Sequence, residues 1–514
     1  MKINQPLPRS REPYRFMKAE GIGNFIQEAK EEGIELNSLM ILVHGRVLFE
    51  TWYAPYAPEL PHAMHSFTKG LTSAAVGFLV EEGRLSLADS VISFFPERCP
   101  DEISENLRKM TVWHLLTMTC GHETEPARTG VEDYIRNFLN WPVPYEPGTH
   151  FYYNSMGTYM LTAILKKLTG QNLVSYLRPR LLEPLGIYDV CCDQCPMGVE
   201  NGGGGAYLRT EDMAKIAQLY LQNGLWNGTR LMDPEWIKQS VSVQFSGSYD
   251  HIFPEKEDWK HGYGFFFWQC RVPGVYRFDG SFGQFGIVIP QYDAVIVTTA
   301  SDPMPERILE LCWKHLLPAL SKEDRQQNWK ELVKNTSDLN MKWYNEDGMV
   351  RNRKDPSDEA VFRMIFDFPD NRDSMVPRWR RSQKPKPPYV KPAAEGIRWC
   401  SLSSEEGTVW LGYEEDGIHN RIPLGTPEHP GRGLLKSSFS DFPAAAVGRW
   451  TAKDVFEVQI RLITTAHRGI YRFEFVRGED GAVDHVILTL SETPYDERLK
   501  TPESRTYHLT VHEK

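Results

Sequence analysis

The stretch His65-Ser66-Phe67-Thr68-Lys69-Gly70-Leu71 places a serine and a lysine three residues apart at the head of a strongly helical segment. Phe67, Leu71, Ala74, Ala75, Phe78 and Leu79 continue it with the spacing of a helix that buries one face. Glu81-Glu82-Gly83 then supplies a polar end and a glycine of the kind that closes helices. On such a helix Ser66 and Lys69 share a face one turn apart, so the amine can reach the hydroxyl. A serine is a poor nucleophile until a neighbour takes its proton, which gives the spacing a chemical use. Taken alone, the pattern is better read as an ordinary surface lysine near a helix start.

The flanking segments describe a covered sheet. After a Pro- and Arg-rich leader, Phe25, Ile26 and Ala29 fit a short helix. Residues 39–43 and 46–50, about His44-Gly45, read as a hairpin of two apolar strands. Thr111 is placed to cap a short apolar helix through Met118, and a longer helix from near Met156 stops at Gly170. The glycine run 202–205 is a loop without the Gly-Lys-Ser/Thr of a phosphate cradle, and Thr210 caps the next helix. Residues 275–279, 284–289 and 294–299 read as strands, and a helix from about 305 to 317 closes the unit. Strands at both ends with helices between argue for an α/β unit, one mixed sheet covered by helices.

From Ser321 to about Ala394 polar residues dominate, and 377–392 mixes prolines with Arg378, Arg380, Arg381, Lys384 and Lys386. Such a stretch could bind an acidic partner, but its composition is that of a solvated, polyproline-like linker. Alternating segments at 408–413, 455–463, 469–476, 483–490 and 506–511 then describe a small all-β domain, barrel or sandwich. The expected division is 1–320, a linker region over 321–394, and a β domain over 395–514.

The 514 residues exceed one typical domain. A net charge of −10 gives non-specific nucleic-acid binding no support. No apolar run approaches the roughly 20 residues that cross a bilayer. Met1-Lys2-Ile3-Asn4-Gln5-Pro6 lacks the apolar core of a secretory signal, so the expectation is a cytoplasmic protein without membrane partners. Cys192-Asp193-Gln194-Cys195 matches C-x-x-C, but no second pair at zinc spacing accompanies it. Free thiols in a reducing compartment are therefore expected, with neither metal nor cofactor.

Two further segments can act with the serine and lysine. Gly148-Thr149-His150-Phe151-Tyr152-Tyr153-Asn154-Ser155 is a turn, an aromatic run and a helix start, presenting a phenol that can share proton traffic with a lysine. Phe278-Asp279-Gly280-Ser281-Phe282-Gly283-Gln284 is a strand broken by glycines, where a substrate can lie against the backbone and an N–H can meet an oxyanion. Core aromatics and a tight turn are the plainer readings of the two.

In this order and at this separation, the segments resemble the serine β-lactamase and penicillin-binding superfamily, in its class C-like branch of esterases, amidases and D-peptidases. Ser66-Phe67-Thr68-Lys69 matches its Ser-x-x-Lys motif. Glu82-Gly83-Arg84-Leu85-Ser86-Leu87, Leu115-Leu116-Thr117-Met118-Thr119, Leu182-Glu183-Pro184-Leu185-Gly186-Ile187 and Gly283-Gln284 also fit. The resemblance covers about residues 35–320 and implies a β-lactamase/transpeptidase-like α+β domain, an antiparallel sheet flanked by helices. The C-terminal β domain is loosely like the barrel appended to some members.

Two departures bear on activity. The family's Tyr-x-Asn becomes Tyr153-Asn154-Ser155, with Ser155 in the asparagine position; a shifted register would instead make Tyr152 the phenol. The third motif, Lys-Thr-Gly or His-x-Gly elsewhere, reads Phe278-Asp279-Gly280. The cation that would meet a β-lactam carboxylate is gone, and Asp279 would repel that carboxylate.

The expectation is acyl transfer through a covalent Ser66 ester, with Lys69 and Tyr153 moving the proton. The resemblance implies an oxyanion hole from the Ser66 and Ser281 N–H groups beside Gly280. Ser155, Phe278, Asp279 and Phe282 are the expected substrate-binding residues. Tyr263, Phe265, Phe266, Phe267 and Trp268, read as a strand, would turn alternate rings toward an apolar acyl group and favour a small-molecule carboxylesterase. An amidase or D-peptidase, with Asp279 pairing a substrate ammonium, is the alternative; a non-hydrolysing penicillin-binding-like sensor is a third. The sequence is silent on oligomeric state.

Overall fold

The computed structural model describes residues 5–127, 131–249, 256–339, 341, 364–368, 397–427, 429–437, 441–493 and 504–513. Within them the chain forms two compact units, a larger one ending at Leu339 and a smaller one dominated by the C-terminal part.

The larger unit grows from the hairpin. Leu36–Val43 and Arg46–Trp52 pair antiparallel about His44 and Gly45, both at positive φ (51° and 68°), as a tight two-residue hairpin turn requires. Leu36–Val43 then pairs with Ala294–Ala300, followed in order by Gln284–Ile289, Tyr276–Gly280 and Trp268–Gln269. Every neighbouring pair is antiparallel, which corrects the mixed sheet and agrees with the arrangement the family resemblance implied. The three central strands are buried at every residue, because helices cover both faces and no side of the pleat meets water.

Thr68–Glu81 is buried from Thr68 to Leu79, not along one face. Its small residues, Gly70, Ala74, Ala75 and Gly77 among them, let neighbours close in from all sides. It packs against Ser155–Thr169, which ends at Gly170. Thr210–Leu221 lies on the central strands, and Ala19–Glu31 packs against the helical turns that follow Pro305.

Two expectations change. The aromatic run 263–268 is a turn, with Phe266 at φ 76° and only Trp268 in a strand, and all five rings are buried. Residues 321–394 are not uniformly linker. Gln326–Asn335 is a helix of the larger unit, because Trp329 and Leu332 bury one face and the Trp329 indole donates to the Met17 carbonyl at 3.0 Å. Met364–Asp367 is a strand of the smaller unit. The proline-rich stretch 377–392 lies outside the described residues.

The smaller unit is a ten-stranded antiparallel ladder among the described residues, from Ile418–Leu424 at one end to Gly431–Lys436 at the other. The ends meet. The Asn420 amide donates to the Lys436 carbonyl at 2.9 Å and accepts from its N–H at 2.6 Å, and the Gly425 N–H donates to the Ala446 carbonyl at 3.0 Å. This selects a nearly closed barrel over a sandwich. Leu402, Leu411, Tyr413, Ile422, Val458, Phe473 and Leu488 fill its core.

Candidate active site

Ser66 sits on a short 3-10 turn, His65–Phe67, that leads into the helix beginning at Thr68. His65 before it is held at φ 46°, a conformation that non-glycine residues avoid and that surrounding structure must enforce. Its ring meets the Phe282 ring edge-on at 5.1 Å, and Phe282 is itself at φ 67°. Two strained residues thus flank the turn that presents the serine.

Lys69 is 1% exposed and donates to three oxygens. They are Ser66 Oγ at 2.9 Å, Ser155 Oγ at 3.1 Å and the Gly203 carbonyl at 2.6 Å. Three acceptors match the three N–H bonds of an ammonium, so the side chain is fixed in direction. The Gly203 carbonyl is the partner that sequence reading missed. Its signal was the glycine run: a Cβ on Gly202 would stand 2.3 Å from Thr162 Cγ2 and 2.4 Å from Thr72 Oγ1. On Gly203 a Cβ would stand 2.8 Å from the Ser155 carbonyl oxygen. The run lacks side chains because it is pressed between the Ser66 and Ser155 helices.

Tyr153 precedes the Ser155 helix, and its hydroxyl is hydrogen-bonded to Ser66. The Lys69 amine lies 4.8 Å from its ring centre, and the ring stacks on Trp268 at 6.0 Å. Tyr263, Phe151 and Tyr249 pack behind Trp268. The aromatic run expected to meet substrate therefore backs the phenol instead. Burial drives the Tyr153 pKa well above the usual phenol range, so the group stays protonated.

Asn154, between the two site residues, turns the other way. Its Oδ1 accepts from the Met156 and Gly157 N–H groups and caps the helix, and its amide meets His122 Nδ1 at 2.9 Å. Tyr152 is half-buried and donates its N–H to the Met118 carbonyl. Among the described residues it is Tyr153 and Ser155, not Tyr152 and Asn154, that reach Ser66 and Lys69.

Tyr276–Gly280 forms the facing wall. A Cβ on Gly280 would stand 2.3 Å from the Met64 carbonyl oxygen, so glycine is what lets the strand pass beside the serine turn. Side chains alternate along it. Phe278 points inward, 1% exposed and stacked on Phe67 at 4.6 Å, so it belongs to the core and not to a substrate surface. Asp279 points the other way and pairs with buried Arg277, Nε to Oδ2 at 2.9 Å. The Arg277 guanidinium also donates to the Asp258 carbonyl and covers the Trp259 ring at 4.5 Å. Burial pushes the Asp279 carboxyl above its ordinary range while Arg277 pulls it down. The pair offsets the Asp279 charge, and of the two groups only the carboxylate keeps some exposure. Ser281 is exposed and Phe282 partly exposed beyond the strand end. Neither the Ser66 nor the Ser281 N–H is committed to another acceptor among the described residues.

A serine tied to a fixed lysine and a protonated phenol, beside a strand edge with free N–H groups, has the parts that acyl transfer needs, and the fold and site together define a serine hydrolase. A family model described as Beta-lactamase matches residues 24–320, and the chain belongs to that family. It is 25% identical over 301 residues to a 6-aminohexanoate-dimer hydrolase of Paenarthrobacter ureafaciens, covering 52% of this chain and 74% of that protein. Protein flp of Staphylococcus aureus (strain MW2) is 27% identical over 164 residues, which are 29% of this chain and 33% of that one. Among solved structures, a putative 6-aminohexanoate-dimer hydrolase from Bacillus anthracis is similar at 18% identity and a TM-score of 0.48, over 66% of this chain and 91% of that one. Among the described residues no helix is long and apolar enough to cross a membrane.

Proposed function

We propose that this chain hydrolyses small esters with uncharged, apolar acyl groups through a covalent Ser66 ester. The observation that carries this reading is the matched Arg277–Asp279 pair. It leaves the substrate-facing wall without net charge, while the His65–Phe282 contact sets an aromatic edge beside the serine.

In this mechanism Lys69 acts in its neutral form, donating only to Ser155 and Gly203 and turning its lone pair to Ser66, so that Ser66 Oγ attacks the carbonyl carbon as Lys69 takes the serine proton. The carbonyl oxygen becomes an oxyanion and is met by the Ser66 and Ser281 N–H groups. One such donor is worth roughly 3–4 kcal/mol in the transition state. As the tetrahedral centre collapses, Tyr153 gives its proton to the departing alkoxide and regains one from the Lys69 ammonium. Water then enters along the same proton path in reverse, releasing the acid and restoring Ser66. The protonated state of buried Tyr153 supports its part as proton donor, not as resident base.

Amide hydrolysis is the second reading, favoured by the 25% identical relative whose name describes a 6-aminohexanoate-dimer hydrolase. A panel of p-nitrophenyl acetate, butyrate and octanoate against D- and L-amino-acid p-nitroanilides separates the two. Higher kcat/KM on the esters is expected; preference for the anilides overturns the ester assignment. Fluorophosphonate labelling that survives Ser66→Ala would remove Ser66 as nucleophile.

A further inference from the structure

A cavity of about 580 Å³ opens on the larger unit, and none of the active-site residues named above lines it. Its walls include Leu7, Leu185, Trp226 and one stripe of the Thr210–Leu221 helix and its end, carrying Lys215, Gln218 and Gln222. Residues three and seven positions apart share a helix face, so these three polar groups point into one space.

Lys215 is 2% exposed. Among the described residues its amine makes one long hydrogen bond, 3.3 Å to the Gly186 carbonyl, and no carboxylate lies within ion-pair distance. The nearest acids are taken. Asp212 holds Arg209 through two bonds of 3.0 and 3.1 Å, and Glu211 accepts from Arg9 at 2.6 Å and from the Leu7 N–H. Burial accordingly lowers the lysine's affinity for its proton. Gln218 is 1% exposed, and neither its amide oxygen nor its nitrogen has a partner among the described residues. An unpaired buried amide group is costly and an unpaired buried charge more so, yet both line the same hollow. The volume lies in the range of small-molecule sites.

We propose that this cavity is a binding site for a small carboxylate bearing an amide, of the N-acylated apolar amino-acid type. Lys215 pairs the carboxylate. The Gln218 side chain, donor and acceptor at once, complements the ligand's amide, and Leu7, Leu185 and Trp226 surround its apolar part.

Calorimetry on the full chain with N-acetyl-L-leucine and its neutral analogue N-acetyl-L-leucinamide tests this. The acid is expected to bind at least tenfold more tightly than the amide analogue. Lys215→Met is expected to weaken acid binding at least tenfold and leave the analogue unchanged, while Gln218→Leu weakens both. Lys215→Met removes a buried unpaired charge without changing volume much, so its melting temperature is expected to hold or rise, which separates lost binding from lost folding. No binding of the acid up to millimolar concentration, or equal binding by the wild-type and Lys215→Met proteins, overturns the proposal.

Discussion

Gly203→Ala tests whether the glycine run holds Lys69 for the proposed acyl transfer. The added Cβ would lie 2.8 Å from the Ser155 carbonyl oxygen and 3.1 Å from its Cβ, too close for either to remain in place. Ser155 is fixed by the helix it starts, so the displacement falls on the 203 segment, whose carbonyl accepts from Lys69 at 2.6 Å. A hydrogen bond to a charged group is worth about 1.5–3 kcal/mol. If that much is lost from the positioning of Lys69, kcat/KM should fall roughly 10- to 150-fold. The neighbouring Gly204→Ala is the control: its Cβ would meet nothing closer than 3.6 Å, to His65. Kinetics on p-nitrophenyl butyrate, the rate of fluorophosphonate labelling and a melting curve for each variant make the comparison. Equal turnover by Gly203→Ala and wild type would show that the carbonyl does not hold Lys69 for catalysis. An equal loss in Gly204→Ala would show general disruption of the loop instead.

Three more outcomes are expected. Tyr153→Phe should cost about 10²–10⁴ in kcat while Tyr152→Phe leaves turnover near wild type, and the reverse pattern in p-nitrophenyl ester assays would move the phenol to Tyr152. Burial lowers the His122 pKa to about 4 from an ordinary 6.5. The unfolded chain therefore binds the proton more tightly, and stability should fall as pH drops from 6.5 toward 4. About 3 kcal/mol is lost over that window; melting temperatures of wild type and His122→Gln across it should converge on a flatter curve for the variant. Asp279→Asn leaves the fully buried Arg277 without its charge partner, so unfolding by urea should show a loss of about 3 kcal/mol or more, and an unchanged midpoint would mean the pair contributes little.

Local rules made much of this chain legible. His44-Gly45 turns a hairpin because both residues accept positive φ, Gly170 ends a helix, and the three-residue step from Ser66 to Lys69 is a property of helical geometry alone. The strands near 276, 284 and 294 and the barrel segments announced themselves by period and by turn residues. What one residue's direction decides was not legible. Tyr152 and Tyr153 are chemically alike; the motif register favoured Tyr153, but it is the path of the chain into the Ser155 helix that turns it toward Ser66. Along the facing strand, alternation assigns Phe278 and Asp279 to opposite faces, but the sequence does not say which face is core. The run 263–268 had strand composition, yet packing against Tyr153 and the left-handed backbone at Phe266 made it a turn.

By itself, then, the sequence pointed to the family and to Ser66 and Lys69 as a pair, because their relation is carried within one helical turn. Tertiary structure alone decided the third partner of Lys69, since Gly203 is 134 residues away and its role depends on two helices closing over a segment without side chains. It alone matched Asp279 to Arg277, by burying the guanidinium beside the carboxylate on one strand face. Spacing along the chain fixes what neighbours can do; which distant groups share a desolvated space is fixed only when the chain is packed.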